Sequence, residues 1–229
     1  MRTLGVIVAC LALLAGSTIV WWTINYPTYS YRYRMIVDVL ADGAVRSGAS
    51  VIAVRVDKQP QFGSAPPQVS RVDGEAVFVD LGRGRNVIAL LAAGPQAKDG
   101  DYPYNVVPTL FGLTFADRDL AKLPGLRGRR EVPANFLPTF MTFTDLNDAA
   151  TAREIKPEEF EQVFGPGVQL RSVVVEMTAA PTTREIAQQM PWWDKPMPWL
   201  TRSAGGSTYF DNRPDGSFRW HNGHLKRDY

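Results

Sequence analysis

The sequence predicts a mainly β protein with short helices (α+β): an N-terminal transmembrane helix, then a β-sandwich with a loop-rich, partly helical extension. Three observations carry this expectation. No residue from Thr3 to Tyr31 is charged, and Leu4 to Ile24 is apolar over a length suited to a bilayer crossing, about 20 residues. Between residues 34 and 92, short runs rich in Val and Ile alternate with Gly-containing turn signals. From residue 94 to 139 six prolines, from Pro95 to Pro138, interrupt any regular period.

The first 30 residues are expected to be an uncleaved anchor. Arg2 and the amino terminus flank the apolar run on one side, and Trp21, Trp22, Tyr26, Tyr29, Tyr31 and Tyr33 follow it as interfacial aromatic residues do. A cleaved signal peptide would use Ala15 and Ser17, but the apolar character persists through Ile19, Val20, Trp21 and Trp22 and favours retention. Ile7-Val8-Ala9-Cys10 has the composition of a lipidation box, with too few apolar residues before Cys10 for a normal signal core. Arg32 and Arg34 partly oppose the positive-inside rule. The short N-terminus nevertheless places residues 31–229 outside the cytoplasm as a single domain, held at the cell membrane and periplasmic in a Gram-negative host.

Strands are expected at 34–40, 50–56, 75–80 and 86–91. Asp42-Gly43 is a turn signal, although the link from Ala44 to Ala49 argues against a tight two-residue hairpin. Asp73-Gly74 precedes the third strand, and Gly82 and Gly84 separate it from the fourth. The insertion at 94–139 reads as a loop packed across the sheet, with a short helix at Phe115 to Leu123. A strand follows at Phe140 to Thr144. Pro157 to Phe164 is a helix with Pro at its first position, Glu158, Glu159 and Glu161 at its positive end, and Gly165-Pro166 as its stop. Val168 to Thr178 is a strand. Thr182 with Glu185 has capping-box spacing and predicts a helix ending at Pro191. In the C-terminal tail, 201–229, Arg213 to Ser217 is a turn between Tyr209-Phe210 and Phe218-Arg219-Trp220.

Two resemblances follow from particular residues. Gly48-Ala49-Ser50-Val51 with Asp73-Gly74-Glu75-Ala76-Val77-Phe78-Val79-Asp80-Leu81 resembles the transthyretin-like β-sandwich modules of carboxypeptidase regulatory domains. That likeness covers residues 34–92 and implies an accessory or adhesive role, because those modules carry no catalytic residues. Tyr31 to Arg34, Thr142 to Asp148 and Phe164 to Val168 resemble segments of a group of bacterial N-terminally membrane-anchored proteins. This second likeness implies a topology and no activity.

Composition narrows the function. Twenty-five Lys and Arg against 23 Asp and Glu is nearly balanced, which argues against nucleic acid. Cys10, the single cysteine, lies in the apolar segment, so the folded part has no thiol for a disulfide, a zinc cluster or catalysis. There is no Gly-x-Ser-x-Gly elbow, and Gly82-Arg83-Gly84-Arg85 lacks the lysine and helix of a phosphate loop. Cofactors and catalytic residues are therefore not expected. His221 and His224 could chelate a metal if helical, but Asn222-Gly223 is turn chemistry, and the ordinary reading is an exposed tail. Asp145, Asn147 and Asp148 offer alternating oxygens like a calcium loop without its Gly and distal Glu; side-chain-to-backbone turns explain them as well. Lys122, Arg127, Arg129 and Arg130 form a basic cluster able to touch lipid phosphates.

The segment Met190 to Leu200 is dense in Trp, Met and Pro. Exposed, Trp192, Trp193, Met197 and Trp199 would form an interaction surface; buried, they would wrap the chain over the sheet. The leading expectation is a non-enzymatic envelope protein, attached through Leu4 to Ile24, whose domain contacts another envelope protein. The alternatives are an extracytoplasmic module for a small ligand or lipid, with 94–139 as its cover, and a hydrolase with acidic residues that no motif marks.

Overall fold

Alternation between buried and outward-facing residues governs the first strand. In β1 (Thr28–Ala41) the odd-numbered residues Tyr31, Tyr33, Met35, Val37, Val39 and Ala41 are buried, and the even-numbered ones face outward. β2 (Ala44–Lys58) pairs with it in one unbroken antiparallel register from Ala41↔Ala44 to Thr28↔Asp57. The connection is Asp42-Gly43, with φ of 51° and 76°. Two successive left-handed residues make the tight turn whose twist matches a hairpin. The link through Ala44 to Ala49 is strand, so the expected absence of a tight hairpin is corrected.

The computed structural model describes residues 2–192, 200–202, 208–211 and 219–228, with side chains described for 11–192 and 223–228. The remaining strands are β3 (Gln68–Glu75), β4 (Val77–Gly82), β5 (Arg85–Ala93), β6 (Arg129–Glu131), β7 (Pro138–Phe143), β8 (Ala152–Ile155), β9 (Gln169–Met177), β10 (Leu200–Arg202), β11 (Thr208–Asp211), β12 (Arg219–His221) and β13 (Lys226–Arg227). Among the described residues they form a six-stranded sheet, β13-β3-β2-β1-β9-β6, a four-stranded sheet, β4-β5-β7-β8, and a small sheet, β10-β11-β12, every pairing antiparallel. The protein is thus mainly β. The expected turn at Arg213 to Ser217 lies outside the described residues, while β11 and β12 on either side of it pair through Phe210↔Trp220.

Two apolar layers hold the sheets. The first lies between them and joins Tyr33, Val37, Ile52 and Val54 of one sheet to Val79, Leu81, Val87 and Phe140 of the other. The second covers the opposite face of the four-stranded sheet, where Ile88, Leu90, Met141 and Phe143 meet Ile186, Met190, Trp192 and Leu225 from the C-terminal segment. β5 is therefore buried on both faces, which explains its uninterrupted run Val87 to Ala93. Of the core positions expected from the sequence, Val37, Ile52 and Ile88 are fully buried and Phe78 is half-buried against the second layer.

Helices are short apart from α1 (Arg2–Asn25). Among the described residues no helix is long and apolar enough to cross a membrane, and this overturns the expected transmembrane span at Leu4 to Ile24. Where its side chains are described, from residue 11 to 25, α1 is not uniformly apolar: Ser17, Thr18, Thr23 and Asn25 turn their polar groups back onto helix carbonyls. In the 94–139 segment α3 (Asp117–Leu120) lies within the helix expected at Phe115 to Leu123, while α2 (Tyr102–Leu110) replaces part of the expected loop, and the two insert Tyr102, Val106, Val107 and Leu120 into the first core layer. Pro103 stands in the first turn of α2 and Pro108 near its end, so proline costs this helix little. α4 (Phe160–Phe164) follows a 3-10 turn at Pro157–Glu159 and buries Phe160 and Phe164, in the segment where the sequence predicts a helix.

The expected helix from Thr182 to Pro191 reduces to a 3-10 turn, Ile186–Gln189. Here a buried acceptor takes over the role assigned to the capping box. The carboxylate of Glu75 accepts from the backbone N–H of Glu185 and of Ile186, at 2.8 and 3.0 Å, while the Thr183 hydroxyl is engaged by Ser50 and by the Val51 N–H. Tertiary bonds thus hold residues 183–186 against β2 and β3 and outcompete a local helix.

A tyrosine cluster joins β1 to α2. The Tyr33 hydroxyl donates to the Pro103 carbonyl at 2.8 Å, whereas the buried Tyr102 hydroxyl has no hydrogen-bond partner among the described residues. Burial raises the pKa of both well above that of an ordinary phenol. Tyr102→Phe should accordingly be neutral or slightly stabilising, and Tyr33→Phe should cost about 1 kcal/mol by removing a buried hydrogen bond. Urea unfolding of the two variants reads the difference; a larger loss for Tyr102→Phe would contradict this assignment of their hydroxyls.

Candidate functional site

The even-numbered residues of β1 and the odd-numbered residues of β2 and β3 point away from the core, onto the outer face of the six-stranded sheet. Register places them in rows: Arg32 beside Ala53 beside Asp73, then Ser30 beside Arg55 beside Arg71. Ala53 and Ser30 are small, so the arginines rise around a depression. The end of β9 supplies one wall with Met177, Thr178 and Ala179, and Pro124 and Arg127, beside the 3-10 turn Leu123–Gly125, supply another. Together they enclose a groove of about 720 Å³.

Its charge is one-sided. Among the described residues four arginines, Arg32, Arg55, Arg71 and Arg127, line it against one carboxylate, Asp73. Asp73 is itself taken by Arg184, at 2.7 Å, and Arg184 reaches Asp228 with its other terminal nitrogen. Arg55 and Arg71 share Asp57, with Arg55 Nε at 2.7 Å. Burial of the Asp57 carboxyl raises its pKa, but hydrogen bonds from Thr28 and Arg55 and the charges of Arg55 and Arg71 together hold it below the usual carboxylate range. Asp57 is therefore an anion at neutral pH and orients two guanidinium groups toward the groove. Arg32 donates to the Ala179 carbonyl at 3.3 Å and Arg127 to the Leu126 carbonyl at 2.7 Å; neither forms an ion pair among the described residues. Guanidinium groups stay charged at any physiological pH and present donors in a planar fork, so this arrangement can hold carboxylate or phosphate oxygens.

The residues singled out by sequence go elsewhere. Asp145 accepts from the backbone N–H and the side-chain amide of Asn147, at 2.8 and 2.9 Å, and these bonds hold its pKa below the usual range. Asp148 accepts from the Ala150 N–H at 2.9 Å. Both carboxylates thus form local turns. Among the described residues no three His, Cys, Asp or Glu side chains gather as a metal set. Asn222 to Leu225 forms a one-turn helix, α5, and His224 is buried in the C-terminal layer, which corrects the expectation of an exposed tail. The side chain of His221 lies outside the described residues, as do Trp193, Met197 and Trp199.

Trp192 is buried, its ring 5.7 Å from that of Phe143 and tilted by 46°. The basic cluster expected at 122–130 is dispersed: Lys122 pairs with Asp119 at 2.8 Å, and Arg130 lies over the Phe111 ring at 4.9 Å. Arg127 alone of that cluster lines the groove.

Sequence reasoning missed Arg32, Arg55 and Arg71 as a set. The signal for Arg32 was the alternation Tyr29 to Arg34, which places every second side chain on one face once a strand is assumed. No family model, curated protein or solved structure matches the chain.

Proposed function

We propose that the protein is a non-enzymatic binding module that takes an anionic macromolecular surface onto the outer face of its six-stranded sheet. The observation that carries this reading is the convergence of four arginines on one groove whose lining carboxylate, Asp73, is engaged by a fifth arginine. The groove volume falls within the range of small-molecule pockets, roughly 300–1,000 Å³, but such pockets bury most of their ligand. Here the Arg55 and Arg71 side chains are 57% and 49% exposed, so a small anion would remain half in water. An extended acidic surface would cover all four at once. The transthyretin-like resemblance of residues 34–92, with its implied accessory role, supports the same reading.

Calorimetric titration of the full chain with an oligoglutamate peptide and with inorganic tripolyphosphate tests it. Wild-type protein should bind at least one of them, more weakly as salt rises. The double variant Arg32→Gln, Arg127→Gln should lose at least tenfold in affinity with an unchanged melting temperature, because neither side chain is buried. Equal binding by the two proteins would refute the assignment.

A further inference from the structure

We infer that the anionic surface is a phospholipid leaflet, with acidic headgroups taken by the arginine groove and α1 contributing apolar contact to the same surface. The inference rests on the binding reading above and adds the partner's class. It draws on a second observation, independent of the groove. Along 11–25 the large apolar side chains of α1 are not covered by the rest of the chain: Leu13 is 74% exposed, Ile24 71%, Trp21 56% and Trp22 51%. An exposed apolar stretch of this kind marks a contact with protein or lipid. Its last turn carries Trp21 and Trp22 against Tyr26, with Trp22 and Tyr26 rings 4.7 Å apart, and aromatic residues of this type favour the headgroup level.

Chain connectivity brings the two features together. α1 ends at Asn25 and Ser30 already lines the groove, so five residues, at most about 17 Å of extended chain, separate them. A soluble phosphate or an acidic peptide would satisfy the arginines and leave the apolar helix in water. A neutral apolar partner would cover the helix and leave the arginines unused. An anionic leaflet offers phosphate oxygens and an apolar boundary within that distance.

Sedimentation of the full chain with vesicles of phosphatidylcholine alone, and of phosphatidylcholine mixed with phosphatidylglycerol, tests this. Binding should be stronger to the mixed vesicles and should weaken with salt. Each arginine near an anionic leaflet contributes about a fivefold gain in partitioning, so Arg32→Gln with Arg127→Gln should reduce binding to mixed vesicles on the order of 25-fold. The same pair should leave binding to phosphatidylcholine nearly unchanged. Trp21→Ala with Trp22→Ala should weaken binding to both. Soluble glycerol phosphate should compete only at far higher concentration than the headgroup on vesicles.

Equal binding to the two vesicle types, or glycerol phosphate binding as tightly as the vesicles do, would overturn the lipid assignment. If the arginine variant still lost oligoglutamate or tripolyphosphate binding, the wider anion-binding reading would stand. If the variant changed none of these measurements, both would fall.

Discussion

Trp192→Ala should be among the most destabilising single changes in this protein, at about 3–5 kcal/mol, the usual range for loss of a core aromatic ring. Trp192 is 5% exposed and sits in the layer formed by Ile88, Leu90, Met141, Phe143, Ile186, Met190 and Leu225. That layer is what attaches the C-terminal segment to the four-stranded sheet, so the cavity opens at the junction of two parts of the chain. For a domain of this size, 1 kcal/mol corresponds to roughly 2–4 °C, and the melting temperature should fall on the order of 10 °C. Trp192→Phe should retain most of the stability, since a smaller ring still faces Phe143. Thermal unfolding of both variants distinguishes packing from a surface role. A Trp192→Ala variant that melts with the wild type would show the ring to be dispensable to the layer.

How much of this was legible in the sequence depends on whether the organising forces were local. The strands β1, β2, β4, β5, β7 and β9 could be read because β-branched runs and turn residues announce them within a few positions. β3 was missed: Gln68 to Glu75 contains only two apolar residues, Val69 and Val72, and its Asp73-Gly74 looks like a turn. In the structure both residues lie within the strand, paired to Ala53 of β2 and Arg227 of β13. The helix expected from Thr182 to Pro191 failed for a related reason. The donors it would have capped locally are satisfied by Glu75, more than a hundred residues earlier. No window of sequence contains that bond.

The groove was harder still to foresee. Its arginines come from β1, β2, β3 and the segment after α3, and become neighbours only through strand order and register. Missing β3 removed Arg71 and Asp73 from view. The short helix expected at Phe115 to Leu123 contains α3, but nothing in the sequence marked α2, and the packing of α2, α3 and Leu123 into the core brings Arg127 to the rim. His224 shows the converse error. Asn222-Gly223 suggested an exposed turn, yet Leu225, whose carbonyl accepts from the Ala76 N–H at 2.7 Å, draws α5 onto the sheet and buries His224 with it.

Gly48→Ala is expected to have a comparable effect to the loss of Trp192, through crowding instead of a cavity. Gly48 lies in β2 opposite Val37 of β1, where the six-stranded sheet passes over β4. A Cβ at this position would stand 2.1 Å from the Phe78 carbonyl oxygen, 2.9 Å from the carbonyl carbon and 3.0 Å from Val79 Cγ2. The nearest obstacle is backbone, held by the β4–β5 ladder through Phe78↔Ile88, so no rotamer change relieves it. The sheets would have to separate locally, and the Val37, Val79 and Ile52 contacts on either side would loosen. Overpacking a core costs about 1–3 kcal/mol and occasionally more; a backbone clash belongs at or above the top of that range. Gly43→Ala provides the comparison. A methyl group there would meet nothing within 4 Å, so only the positive φ of 76° opposes it, at about 1–2 kcal/mol. Urea unfolding should therefore rank Gly48→Ala as the worse of the two. Adding Phe78→Ala should not restore the loss, because it removes the ring and leaves the carbonyl in place. A Gly48→Ala variant as stable as the wild type, or one rescued by Phe78→Ala, would show that β2 does not approach the β4 backbone as closely as this packing requires.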